Sequence, residues 1–298
     1  MTADIPVLPD PDPDPVNRSI LFNTYQRARF LLGLAAVLAF IVFWGLGGLF
    51  HVPFMPEYAD SILLQPSAAM AFVAVIVGLG LSVVIGTIIA GPVRYDAGLC
   101  TAGLGLLALS ARGGPVREVL FAHPGADIYL SLFTELVLLF ILFVAMFFFQ
   151  RFFHTLGWLR DDARRDGLPD MEHTLTEKLQ AAAIQIVVMG ILVYFLAASE
   201  RKFQVIAAVS FASFLATIAA HSIYPVRPSY WFWSGSFIVG AIGYLWAYAQ
   251  PGDYVIGTAA NPLARALPLD YASVGVGASI VGYWMSRRWR RDRISMEG

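Results

Sequence analysis

The chain has 298 residues, of which 58% are hydrophobic and 14% charged, with a net charge of −1; its mean hydropathy is +0.66. A soluble domain carries about 25% charged residues, so a fold of this composition lacks the polar surface that water demands. That excludes an ordinary cytosolic enzyme, a nucleic-acid binder and a disordered protein, and it points to the lipid bilayer as solvent.

Residues 1–25 differ from the rest. Pro6, Pro9, Pro11, Pro13 and Pro15 alternate with Asp10, Asp12 and Asp14. Proline removes backbone donors and the acids repel, which predicts an extended, solvated, disordered tail. It has neither the basic start nor the apolar run of a signal peptide, so the first apolar helix is expected to act as the insertion signal.

Eight apolar segments follow, near 30–50, 68–91, 97–112, 128–150, 180–199, 203–221, 231–249 and 270–286. A helix needs roughly 20 residues to cross about 30 Å of hydrocarbon. The third and eighth are short, and would rely on snorkelling ends, burial in protein or local thinning of the bilayer. Glu200, Arg201 and Lys202 split the run from 180 to 221 with a tight turn. The expected fold is all-α, a polytopic bundle of about eight transmembrane helices. Helices one to four fall within 26–150, a charged loop within 151–179, helices five to eight within 180–286, and a basic tail within 287–298.

Eight spans put both termini on one side. That side carries 15 basic residues: Arg18, Arg27, Arg29, Arg94, Arg151, Arg160, Arg164, Arg165, Lys178, Arg227, Arg287, Arg288, Arg290, Arg291 and Arg293. The other carries five: Arg112, Arg117, Arg201, Lys202 and Arg265. The positive-inside rule then makes both termini cytoplasmic, in a plasma or inner membrane. Trp158, Trp231, Trp233, Trp284 and Trp289 lie near the expected cytoplasmic ends and Trp246 near an outer end, where amphipathic rings favour the headgroup level.

The halves share a pattern. Thr87-Ile88-Ile89-Ala90 leads into Pro92-Val93-Arg94, and Thr217-Ile218-Ala219-Ala220 leads into Pro225-Val226-Arg227. Gly78, Ser82, Gly86 and Ala90 recur every fourth position on the second helix, as do Ala208, Ala212, Ala216 and Ala220 on the sixth. A parallel four-plus-four repeat about an axis along the membrane normal fits this pattern. So does coincidence, because small residues at this spacing recur wherever helices pack in lipid. Either way both helices are expected to be central. The Leu- and Phe-rich fourth helix is expected to face lipid.

Chemistry has few places to sit. Glu135 lies inside the fourth helix, roughly 10 Å deep, with no Lys or Arg in sight within the spans. It reads as an intramembrane proton or ion site, or as a neutral acid bonded to a neighbouring helix. Arg94 with Tyr95, and Arg227 with Tyr230, read as contacts to anionic headgroups or solute at the cytoplasmic face, or as plain helix-end anchors. Asp161-Asp162-Ala163-Arg164-Arg165-Asp166 invites comparison with magnesium-binding acidic motifs, but its spacing departs from them and its arginines compete for the acids. A self-paired charge run is the better reading. No two histidines lie four apart on a span, and Lys178 and Lys202 flank spans. His173 and Glu177 have metal spacing in a loop. Cys100, the sole cysteine, reads as a small core residue. No cofactor or metal is implied, no nucleic acid is a partner, and no motif assigns a family.

Three functions stay open. A small-solute or ion transporter draws on the repeat, the Gly-rich helices and Glu135. A non-catalytic membrane subunit or scaffold draws on the lack of motifs. A lipid-handling intramembrane enzyme draws on the Arg and Tyr pairs and the middle loop, yet no catalytic set is complete.

Overall fold

A computed structural model describes residues 15–50, 61–65, 67–155, 173–250, 259 and 261–297. The chain is all-helical, 83% helix, with no strand among the described residues. Its helices are α1 (Pro15–Leu46), α2 (Ala68–Ile89), α3 (Ala97–Arg112), α4 (Val116–Ala122), α5 (Asp127–Thr155), α6 (Leu175–Leu196), α7 (Lys202–Ile223) and α8 (Tyr230–Ala249). A last helical run opens with Pro268–Asp270, passes through a π turn at Tyr271–Gly275, and continues as α9 (Val276–Glu297).

α1, α2, α5, α6 and α7 each contain a stretch long and apolar enough to cross a membrane. α3 and α4, bent by 56° at a short break, make a sixth if counted together. The chain is thus a multi-pass helical bundle. α8 and the last run are not among these stretches, and for the last run there is a physical reason. Residues 266–277 are buried without interruption, so they face protein and need no lipid-soluble surface. α3 is likewise mostly buried. Its 16 residues rise about 24 Å, and neighbouring helices cover them.

Local chemistry sets several boundaries. Thr174 and Glu177 form a capping box at the start of α6: Thr174 Oγ1 accepts from the Glu177 amide at 3.3 Å, and Glu177 Oε2 accepts from the Thr174 amide at 2.8 Å. Pro268 occupies the first turn of the last run, where its missing N–H costs nothing. The Pro- and Asp-rich segment was expected to stay extended to residue 25, but α1 begins at Pro15. Residues 16–25 contain no proline, so helix can start once Pro15 has supplied its fixed φ. The loop expected at 151–179 is shorter at both ends, because α5 runs to Thr155 and α6 starts at Leu175. The tail expected from 287 is helical to Glu297. Residues 1–14, Trp158 and the acidic run from Asp161 to Asp166 lie outside the described residues.

The small-residue stripes behave as lipid packing requires. Gly78, Ser82, Gly86 and Ala90 are buried, as are Ala208, Ala212, Ala216 and Ala220. The apolar windows of α2 and α7 are 44% and 50% buried, against 17% in α1 and 22% in α6, so these two are the central members of the five. At Gly86 a Cβ would lie 2.8 Å from the Gly98 Cα and 2.6 Å from the Thr101 Oγ1. Only glycine permits that approach of α2 to α3. Gly103 does the same for α3 against the π turn, where a Cβ would lie 3.0 Å from the Ser273 carbonyl.

α5 is peripheral on one face only. Val137, Ile141, Phe148 and Phe152 are exposed, while Leu132, Leu136, Leu139, Phe143 and Phe147 are buried. Trp233, expected as an interfacial anchor, is 2% exposed and packs against Phe140, Phe143 and Phe237. It is a core residue because it starts on the face of α8 turned to α5. Trp284, also expected as an anchor, is 7% exposed, whereas Trp246 and Trp289 are both 43% exposed.

The two halves pack differently. α1, α2 and α3 pack mutually. In the second half α7 packs on α6 and α9, whereas α8 packs on α5 and α6 and touches α7 only lightly.

Candidate functional site

Polar contacts mark two ends of the bundle. One end holds Arg94, Gln150, His221 and Ser286; the other holds Ser61, Ser110, Glu135, Lys202 and Asp270. Arg112 on the Trp44 carbonyl, Arg265 on the Ala197 carbonyl and Tyr244 on the Ala266 carbonyl place the ends of α1, α6 and α8 at the second end, so α1, α2, α3, α5, α6, α7, α8 and the last run alternate in direction between the two.

The Lys202 end contains a buried charge cluster. Lys202 opens α7, just past the turn that starts at Ala197. Its Nζ lies 2.8 Å from Asp270 Oδ1, and the two side chains are 9% and 1% exposed. Ser110, in the last turn of α3, donates its hydroxyl to the same oxygen at 2.5 Å. The Leu267 amide donates to Oδ2 at 2.9 Å. Asp270 thus ties α3 and α7 to the last helical run with both oxygens engaged. It sits immediately before the π turn, a helix irregularity that is common at functional sites.

Glu135 belongs to the same cluster. It is 1% exposed and faces the bundle interior. Ser61 donates its hydroxyl to Oε2, and the Leu63 amide donates to the same oxygen at 3.2 Å. Oε1 is buried with no hydrogen-bond partner among the described residues. No ion pair to Glu135 occurs among the described residues, but Lys202, at the start of α7, acts on it electrostatically. Tyr244 and Tyr271 wall the cluster, edge to face with centroids 6.5 Å apart. Their hydroxyls donate to the carbonyls of Ala266 at 2.6 Å and Leu263 at 2.8 Å. Both Asp270 and Glu135 act electrostatically on Tyr244, so the two acids share one low-dielectric region.

Such an arrangement has asymmetric capacities. An ion pair taken out of water holds only while both partners stay. A buried carboxylate with a spare oxygen can take up a proton or a cation without dismantling its other contacts.

The other end gathers cations. The Arg94 guanidinium sits 5.9 Å over the Trp284 ring. The Tyr95 carbonyl accepts from the Gln150 amide, whose Oε1 accepts from the Leu99 amide at 3.0 Å. His221 Nδ1 and Ser286 Oγ share a hydrogen bond of 2.9 Å, and the His221 ring meets Tyr283 edge-on at 4.9 Å. Arg227 acts electrostatically on His221 and on Arg290. Burial first, and then the charges of Arg227 and Arg293, hold the Arg290 guanidinium below its ordinary range. Tyr230 meets Phe147 edge-on at 5.5 Å and lies tilted to Trp231 at 5.1 Å. Arg94 and Tyr95 thus belong to the turn between α2 and α3, Arg227 belongs to the turn between α7 and α8, and Tyr230 is the first residue of α8.

The sequence alone does not single out Asp270, Ser110 or Ser61, and it places Lys202 only in a turn at the edge of a span. One signal existed for the first: Asp270 stands at the very edge of an apolar segment, three residues after Leu267, the reach at which an acid can cap a helix start. Among the described residues no group of three or more His, Cys, Asp or Glu side chains could hold a metal ion. Cys100 is buried and directs its Sγ at the Gly277 carbonyl, 3.9 Å away.

Comparisons of the chain with protein-family models, curated proteins and solved structures returned no match.

Proposed function

We propose that the chain is an eight-pass membrane transporter for a small solute or ion, with Glu135 as its proton or cation site. The observation that carries this reading is the unpartnered Oε1 of Glu135, buried in the same region as the Lys202–Asp270 pair. Ionisable groups inside an apolar bundle are costly and mark ion paths or relays. The alternation of eight helical elements between two ends supports eight passes. The 15 to 5 division of basic residues supports cytoplasmic termini in a plasma or inner membrane. The likeness of the two Pro-Val-Arg segments supports a duplicated origin whose packing has since diverged. On this reading Arg94, Tyr95, Arg227 and Tyr230 meet anionic headgroups at the cytoplasmic face.

The test uses purified protein in vesicles loaded with a pH-sensitive dye, under an imposed proton gradient. Wild type should move protons, and Glu135→Gln should reduce that flux at least about tenfold, the loss expected when a positioned proton carrier is removed. Equal flux in both proteins would overturn the assignment. A second reading, a non-catalytic membrane subunit, is favoured by the close packing at Gly86 and Gly103; it requires that neither protein moves protons.

A further inference from the structure

Of the five basic residues on the sparsely charged side, two are occupied within the bundle. Lys202 pairs with Asp270. Arg112 donates to the Trp44 carbonyl at 3.0 Å and lies 4.7 Å over the Trp44 ring. The remaining three, Arg117, Arg201 and Arg265, line one cleft together with Pro115, Glu200 and the turn at Ala198 and Ser199. The cleft has a volume of about 440 Å³, within the range of small-molecule sites, roughly 300–1,000 Å³.

These arginines reach the cleft from three separate elements. Arg117 comes from α4, Arg201 from the turn before α7, and Arg265 from the 3-10 turn Pro262–Arg265. None of them has an ion pair within 4.0 Å among the described residues, although the Arg117 guanidinium lies 5.2 Å over the Phe121 ring. The sole acid of the lining is already engaged, because Glu200 Oε1 accepts from the Ala259 amide at 2.8 Å. Arg265 is fixed by one nitrogen, which donates to the Ala197 carbonyl at 2.5 Å, and its Nε is buried with no hydrogen-bond partner among the described residues. Three guanidinium groups against one carboxylate focus positive potential into a concave wall. Planar guanidinium forks match the paired oxygens of carboxylate and phosphate.

We infer that this cleft binds an oxyanion, a small carboxylate or phosphate group. The inference deepens the transport reading by naming a solute class, and it rests on that reading only in calling the anion a solute. Both walls continue into the buried ion pair: Arg201 directly precedes Lys202, and the segment of Arg265 leads into Asp270.

The experiment measures binding, so its failure is distinct from a failure of proton flux. The full chain is placed in nanodiscs of neutral lipid and titrated with succinate or inorganic phosphate, with chloride at matched ionic strength as reference. One of the two anions should bind saturably, beyond the chloride response. Arg117→Gln and Arg201→Gln should each weaken it about tenfold, the value of one charge-assisted hydrogen bond, and Glu200→Gln should tighten it. Because Arg265 also holds Ala197, its substitution is not relied on. If binding appears only as retention of phosphatidylglycerol, lost in the same variants, the oxyanion is a lipid headgroup and the site stands. A response equal to that of chloride, with no retained lipid, overturns the proposal. So does binding that is unchanged in Arg117→Gln and Arg201→Gln.

Discussion

Asp270 and Glu135 are both buried acids at one end of the bundle, yet they are held in different ways. Asp270 has a cation, a hydroxyl and an amide on its two oxygens. Glu135 has a hydroxyl and an amide on one oxygen and, among the described residues, no hydrogen-bond partner on the other. A fully compensated carboxylate is a structural tie, because removing any partner exposes its charge to low dielectric. A half-compensated one retains capacity, and capacity is what a proton or ion site needs.

Breaking the tie should give the largest effect. Lys202→Met leaves Asp270 charged and buried, and should destabilise the protein by about 3–5 kcal/mol in denaturant unfolding of the purified chain. Replacing both partners, as in Lys202→Met with Asp270→Leu, should recover most of that loss, since an apolar pair needs no compensation. Recovery would show that the pair matters for more than stability if proton flux stays low. Ser110→Ala removes one hydrogen bond to a charged group and should cost about 1.5–3 kcal/mol in the same assay. Glu135→Gln keeps a side chain that can still accept from Ser61, so its stability should stay within about 1 kcal/mol of wild type. That small change beside a large loss of flux would sharpen the contrast between the two acids. A loss as large as that of Lys202→Met would erase it. The smallest effect should come from Arg94→Gln, which gives up a cation–π contact of about 0.5–1 kcal/mol. Its expected signature is lower retention of anionic lipid, read by mass spectrometry of the purified protein.

The apolar segments were legible in the sequence because hydropathy is a local property. The i+4 stripes on α2 and α7 were legible too, since small residues at one helical spacing have one use in lipid, close packing. Glu135 stood out for its isolation within an apolar run. Its partner Ser61 did not, because it lies 74 positions away, in a segment without helical periodicity. Trp233 was misplaced for a related reason: a tryptophan near a helix end can face headgroups or a neighbouring helix, and only packing chooses between them.

The chain by itself determined that the protein is helical and apolar enough to enter a bilayer, and which residue types were scarce enough to matter. The tertiary structure decided which scarce charges meet. Lys202 and Asp270 lie 68 positions apart in the chain, and neither stands out where it is. They pair because α7 and the last helical run pack side by side, and burial then makes each charge depend on the other. Local sequence sets the cost of burying a charge, but only the folded neighbours can set its compensation.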